Sequence, residues 1–544
     1  MNTTVTIVYI VIYLAIIALL GYFGFKQTKN AQDYLIAGRK IHPFIMAMSY
    51  GATFISTSAI VGFGGAAGQL GMGLLWLTFL NIFVGIFIAF IFFGKRTRRM
   101  GKNIEAHTFP ELLGQRFDSK FMQGFAGLVI FIFMPIYTAA VIKGGAEFVQ
   151  TFFKISYDAA LIGFVLVVAL YVLLGGLKGV MYADAFQGTL MFVGMTILLV
   201  YAYSKLGGVS SAHEQLGDLF LKSDVREQVA KNIGGGFQGW TSMPKFDSPI
   251  WWNLVSTVVM GVGIGVLAQP QLAVRFMTVR SDRELNRGVV SGGIFILMMT
   301  GVAFVVGALA NVNFYNETGK VAMLAAGGND RIIPEYIAQF IPAWVGPLFL
   351  ITMLAAAMST LSSQFHTMGT AVGRDFYEKG LQKKGNSISI TRIGLVIGIL
   401  LSAVVAWLSG KLEVSMAVIA TGTALFFGLC AASFLPAYIS ALYIRTMPKA
   451  AALWGMVCGF VTSAFWIFFI HEKEAASLQI CRLITGKTSL VAGTALKKLA
   501  MVDPIFIALP VSLIVTFALW LILRNNKKHA MDSALIEKCF KDIA

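Results

Sequence analysis

The stretch Gly51-Ala52-Thr53-Phe54-Ile55-Ser56-Thr57-Ser58-Ala59-Ile60-Val61-Gly62-Phe63-Gly64-Gly65-Ala66-Ala67-Gly68 lies inside an apolar run from about 43 to 70. A run of that length can cross a bilayer as a helix, yet its middle is crowded with glycines and hydroxyls. Lipid tolerates a broken helix only where neighbouring protein or a cavity satisfies the freed backbone. In ion-driven transporters such breaks mark the binding site near the midplane. A second apolar run, near 250–274, repeats the signal: Gly261, Gly263 and Gly265 precede Gln269-Pro270-Gln271, and Pro270 has no N–H to donate. Glycine-mediated helix packing would account for either one alone. Together they occupy the second and seventh runs, the positions expected for the first helices of two five-helix repeats, runs 2–6 and 7–11.

The rest of the chain agrees with a membrane reading. Of 544 residues, 57% are hydrophobic and 13% charged, where soluble domains carry about 25% charged; mean hydropathy is +0.76. About thirteen runs can span, near 5–25, 43–70, 73–95, 122–148, 157–174, 183–207, 250–274, 288–312, 341–373, 390–410, 414–443, 450–471 and 503–523. The expectation is an all-α polytopic protein. Residues 1–30 carry an extra N-terminal helix, 43–207 and 250–443 the two repeats, and 450–544 two more helices and a tail. The formal charge of +17 points to basic cytoplasmic loops rather than to nucleic acid. Lys and Arg crowd 26–42, 95–121, 275–288, 374–392 and the tail, which places the N-terminus outside and the C-terminus inside a plasma (inner) membrane. Arg275, Arg280, Arg283 and Arg287 read as loop charges. Cys430, Cys458, Cys481 and Cys539 are scattered with no CxxC pair. No GxxxxGK[ST] loop is present, so the energy source is expected to be an ion gradient.

Hard cations want oxygen ligands. The ninth run supplies them in Ala355-Ala356-Ala357-Met358-Ser359-Thr360-Leu361-Ser362-Ser363-Gln364. Ser359 shares a helix face with Ser362 and Ser363; the alternative is small-residue packing with hydroxyls bonded back to their own helix. Asp184, at the start of the sixth run, is a functional candidate because charge inside a span is costly, or else a helix N-cap. Lys143 lies deep in the fourth run with Glu147 four residues on, so an intrahelical ion pair competes with any role towards a solute. His366 reads as a packed core residue. Neither metal-ligand spacing nor a Ser-His-Asp set is evident, so no enzyme is expected.

Several motifs, in order, resemble those of the sodium:solute symporter family over about residues 30–445. They are Ala31-Gln32-Asp33-Tyr34-Leu35-Ile36-Ala37-Gly38-Arg39; Thr108-Phe109-Pro110-Glu111-Leu112 with Arg116-Phe117; Gly175-Gly176-Leu177 through Asp184; Gly265 to Pro270 with Arg275-Phe276-Met277; and Leu354 to Gln364. The resemblance implies a LeuT-type fold of two inverted five-helix repeats, each with a broken first helix, and Na+ as the co-transported ion. It maps a main sodium site onto the carbonyls of Ala52, Ile55 and Ala356 and the hydroxyls of Ser359 and Thr360. It maps a second site onto Asp184, Ser359, Ser362 and Ser363.

The solute is expected at the breaks, against Thr53, Phe54, Thr57, Ser58, Val262, Val266 and Gln269, with Lys143 favouring a carboxylate if it reaches the pocket. Phe54, Ala59 and Thr78 stand where sugar-transporting relatives place polar groups, and Val262 and Val266 where the proline symporter has aromatic ones. The pocket is therefore expected to be less polar than a sugar site and less aromatic than a proline site. An amino acid or organic carboxylate is favoured over sugar. The alternative is an ion channel lined by the hydroxyl-rich ninth helix.

Overall fold

The computed structural model describes residues 3–27, 31–383, 387–411, 418–526 and 530–543, and they contain helices and no strand. Eleven helices among the described residues are long and apolar enough to cross a membrane, and the bent pair Pro43–Phe54 and Ser58–Leu70 makes twelve. The fifth and sixth expected spans, 157–174 and 183–207, lie on one continuous helix, Tyr157–Lys205. Spans keep their ordinals from the sequence below.

Burial sorts the spans into centre and rim. In the ninth, Gly346–Gly380, and the eleventh, Ile419–Tyr443, 89% of the most apolar window is buried, against 17% in the first, Thr6–Gly24. A helix enclosed this fully must settle its polar side chains on neighbouring protein, and the hydroxyls of the ninth span do so.

Both expected breaks are present. The second span stops at Phe54; Ile55 is extended (φ −92°, ψ 105°), with its N–H on Gly51 O at 2.8 Å. The chain resumes with Ser58 N–H on Ser56 Oγ at 3.1 Å, and the halves meet at 52°. The seventh span, Pro249–Ala268, breaks at extended Gln269 (φ −73°, ψ 117°). Pro270 then opens the short helix Pro270–Phe276, a position where a helix has no use for its missing N–H.

Glycine fixes how closely the broken spans lie to others. A Cβ on Gly307, in the eighth span Asp282–Thr318, would sit 1.9 Å from Gly64 O, so those backbones touch directly.

The basic loops gather at one end. Arg98 and Arg99 both pair with Asp282, at 2.6 and 2.5 Å. Arg39 donates to Ala106 O (2.8 Å), Gly101 O (2.9 Å) and Met277 O (3.3 Å). The C-terminal helix Ser533–Phe540 docks here too. Asn103 Nδ2 donates to Lys541 O (2.7 Å) and Cys539 O (3.3 Å), and Arg99 to Asp542 O. The guanidinium groups of Arg116 and Arg445 lie 5.1 and 5.3 Å from the Phe540 ring. At the opposite end the loops between spans six and seven and between twelve and thirteen fold into short helices.

Candidate functional site: two oxygen clusters and a cavity at the first break

Where the second span unwinds, its last carbonyls lose their helical partners, and the ninth span supplies new ones. Ser359 Oγ donates to Ala52 O (2.9 Å) and Ala356 O (3.3 Å). Thr360 Oγ1 donates to Thr53 O (3.1 Å) and Ala52 O (3.4 Å). Four of the five expected main-site residues, Ala52, Ala356, Ser359 and Thr360, thus meet in a buried cluster of neutral oxygens, and Ile55 stands at the break itself. Carbonyls and hydroxyls with no net charge are the donor set a hard monovalent cation takes.

The second expected group also assembles, with a member not foreseen. Asp184 Oδ2 accepts from Ser49 (2.8 Å), Thr53 (3.3 Å) and Arg275 Nη2 (3.0 Å), and Ser362 Oγ lies 3.5 Å from Oδ1. Arg275 Nη2 also donates to Ser363 Oγ and Thr53 Oγ1, both at 2.5 Å, and Nε donates to Ser49 Oγ at 3.0 Å. The loop reading of Arg275 is therefore corrected. Its side chain is 1% exposed against 0% for Asp184. The reason is the break: Pro270–Phe276 is the inner half of the seventh span, and its last turn aims Arg275 inward. The signal was Gln-Pro five residues earlier, which makes 270–276 helix rather than loop. Asp184 is no N-cap either, since one helix runs Tyr157–Lys205 straight through it.

Beside the main cluster a cavity lies against the break, lined among others by Phe54, Ser58, Asn81, Tyr137, Val262 and Phe427. Of the expected solute residues, Phe54, Ser58 and Val262 line it; the others do not. Thr53 belongs to the Asp184 group. Thr57 Oγ1 donates to Val141 O at 2.7 Å. Val266 packs between Gly85 and the eleventh span. Gln269 is buried, with Nε2 on Gly265 O and Oε1 accepting from Gln271. Lys143 pairs with Asp330 at 3.4 Å rather than with Glu147. Helix 329–331 packs against the fourth span at that height, and that contact overrides the i,i+4 expectation.

The cavity has aromatic walls that spans two and seven do not supply by themselves. Phe54 stacks on Phe427 with centroids 6.3 Å apart, and Tyr137 meets Phe427 edge-on at 5.3 Å. Tyr137 and Phe427 come from spans four and eleven, which local reading of spans two and seven does not reach. The cavity's hydroxyls are largely taken: Ser56 with Ser58 (2.6 Å), Thr423 with Ser58 (3.0 Å), Thr300 with Ile296 O (2.9 Å). Asn81 Oδ1 is buried without a hydrogen-bond partner. A lone Asn in the apolar third span was the signal for it.

One turn away a vestibule of about 880 Å³ widens at the end with the long loops, lined by Gln69, Asn253, Thr257, Thr421, His471 and Lys473. At the basic end, beyond Arg275, the cavity lined by Thr367, Thr370 and Asp375 holds ≈ 20 Å³, as does the cavity at the break. The wider of these spaces thus faces the end with the long loops.

A model of the sodium:solute symporter family matches residues 34–459. Sodium/proline symporter 2 of Staphylococcus saprophyticus is 26% identical over 490 residues, covering 87% of this chain and 88% of its own. The osmoregulated proline transporter OpuE of Bacillus subtilis is 27% identical, covering 89% and 92%. Among solved structures, a Na+-coupled sialic acid symporter in a substrate-bound outward-open state superposes with a TM-score of 0.72 at 16% identity, covering 97% and 98%. The nucleobase-cation-symport-1 transporter Mhp1 superposes with 0.52 at 12%, covering 94% and 99%. The fold is thus the LeuT type, and with the family match over most of its length this chain, a multi-pass membrane protein that couples a small organic solute to Na+, belongs to the sodium:solute symporter family.

Proposed function

We propose that the solute is a small amino acid or a related carboxylate, bound in the aromatic cavity at the first break. The observation that carries this reading is the junction itself. The neutral oxygen cluster of Ala52, Ala356, Ser359 and Thr360 and the Phe54–Phe427 cavity share one unwound segment. Na+ held by that cluster, with the Ile55 carbonyl completing it, fixes the break in the shape that receives the solute. Solute in turn raises Na+ affinity by the same factor. Asn81 Oδ1 accepts the solute's N–H, and the half-helix Ser58–Leu70 turns its positive end towards a carboxylate. A polyol would leave several hydroxyls unmatched, which is expensive in a buried site. The proline-named relatives make proline the first solute to test.

Asp184, Ser359, Ser362 and Ser363 form the second sodium position, which Na+ shares in alternation with the Arg275 guanidinium. Two cations within this cage would repel strongly in a dry interior, so Na+ enters only as Arg275 withdraws. Residues 43–207 and 250–443 are the two repeats, and the first two helices of each rock against the rest. The gathering of Arg98, Arg99, Arg39 and Arg445 at one end supports a cytoplasmic basic face, hence an outside N-terminus and an inside C-terminus in the plasma membrane. The conformation described is then outward-facing.

The test is uptake into proteoliposomes over a panel of amino acids, carboxylates and sugars, with and without an inward Na+ gradient. Saturable amino-acid uptake that collapses with the gradient is the expected result. Uptake of sugars alone, or currents without saturable solute uptake, would overturn the reading.

A further inference from the structure

The hydroxyl stripe of the ninth span continues past both clusters. Thr367 follows Ser363 by one turn and Thr370 comes next. Their hydroxyls donate back to Ser363 O (2.8 Å) and Thr367 O (3.0 Å), which leaves oxygen lone pairs facing outward from the helix. Over Ala371–Gly380 the span widens into π turns, a local form frequent at functional sites. As a result Thr367, Thr370 and Asp375 line one cavity together with Pro270 and Val274. Val274 is the residue before Arg275, so this cavity starts where the Asp184 group ends. Its ≈ 20 Å³ matches an object the size of one water or a bare sodium ion.

Asp375 is fully buried. Its Oδ1 accepts from Thr108 Oγ1 (2.6 Å) and Gln123 Nε2 (2.8 Å), while its Oδ2 is buried with no hydrogen-bond partner. The neighbouring charges do not balance. Arg374 is engaged by Glu111 (2.8 Å) and Glu378 (2.6 Å), and Lys379 lies 3.9 Å from Glu378. Two permanent cations therefore face three carboxylates, with His107 Nδ1 3.5 Å from Glu111 as the further titratable partner, and none of the ion pairs among the described residues includes Asp375. A buried carboxylate with an unshared oxygen calls for a cation or a proton.

We propose that Asp375, with the hydroxyls of Thr367 and Thr370, forms a transient Na+ site between the Asp184 group and the cytoplasmic face, the last station from which the ion leaves. It rests on the Na+-symport reading and adds a step to it. Going down one helix face, Na+ passes from a neutral cluster to the Asp184 cage and then to a single carboxylate at the inner closure.

The experiment uses the full chain in uniformly oriented proteoliposomes, with Na+ varied independently outside and in the lumen. In Asp375→Asn the external Na+ that half-saturates uptake should stay within about twofold, whereas the luminal Na+ that halves uptake should rise about tenfold. Thr367→Val/Thr370→Val should move the luminal value in the same direction by about threefold, and it carries the test if Asp375→Asn is not recovered folded. Unchanged luminal Na+ dependence, or equal shifts on both faces, overturns the proposal. So does loss of a luminal pH response with luminal Na+ dependence intact, which would assign the carboxylate to a proton. A wild type indifferent to Na+ on both faces would instead overturn the symport reading itself.

Discussion

At the scale of single residues, the proposed Na+ coupling rests on oxygens shared between an unwound segment and one helix. Ser359→Ala and Thr360→Ala each remove one neutral oxygen from the cluster on Ala52 O. Each should raise the Na+ needed for half-maximal uptake about tenfold, the equivalent of about 1.4 kcal/mol, with protein abundance unchanged; Na+ titration of uptake checks this. Asn81→Leu should raise the half-saturating solute concentration by about tenfold or more and leave the Na+ requirement nearly unaltered. Arg275→Gln removes the resident cation from the Asp184 cage. Sodium dependence of uptake should then become more sigmoidal, and Asp184→Asn should reverse it; Hill coefficients measure both. The oxygens of the ninth span were legible in the sequence because Ser359, Ser362 and Ser363 follow helical spacing. Arg275 was not, because a basic residue just past an apolar run looks like a loop charge until the Gln269-Pro270 break is recognised as the middle of a helix. Tyr137 and Phe427 were out of reach for another reason: only tertiary packing brings spans four and eleven to the break.

At the scale of elements, the positions of the breaks and of most spans were legible, since glycine and proline act locally on backbone geometry. Partner choice was not, as Lys143 shows: Glu147 lies at ideal helical spacing, yet Asp330 forms the ion pair. Close approach of whole helices depends on single hydrogens. Gly307→Ala would place a methyl 1.9 Å from Gly64 O, and the two spans must then part; a lowered melting temperature in detergent and weakened uptake are expected together. The Thr108–Arg116 loop has its own logic. Thr108 Oγ1 caps its helix on Glu111 N–H (3.0 Å), and the Glu111 carboxylate accepts from His107 N–H (3.0 Å) and Arg374 (2.8 Å). Burial works to raise the Glu111 carboxyl, but the His107 hydrogen bonds and Arg374 outweigh it and hold it at about 2. A lowered carboxyl stabilises the fold fully above its ordinary value near 4.5 and loses that contribution as pH falls towards 2. Glu111→Gln should therefore cost stability near neutrality, on the order of 2 kcal/mol. In thermal unfolding across pH, its gap from wild type should close on acidification below about 4.5.

At the scale of the whole molecule, the vestibule opens at the end away from the basic loops, and the proposed orientation follows from that charge map. Thiol labelling of single cysteines placed at Lys222 and at Lys538 in sealed vesicles should mark them on opposite sides, Lys538 facing the cytoplasm. One wall of the vestibule was hidden from sequence reading, because residues 471–501 look like an ordinary long loop until they are seen beside Asn253 and Thr257. The docked C-terminal helix has a consequence of a different kind. Arg99 and Asn103 hold it only by main-chain carbonyls, those of Cys539, Lys541 and Asp542, and a carbonyl is the same in every amino acid. The grip thus reads the path of the last turn and ignores its polar spelling. Swapping Lys541 for other residues leaves it intact, while inserting or deleting one residue before Phe540 throws every contact out of phase at once.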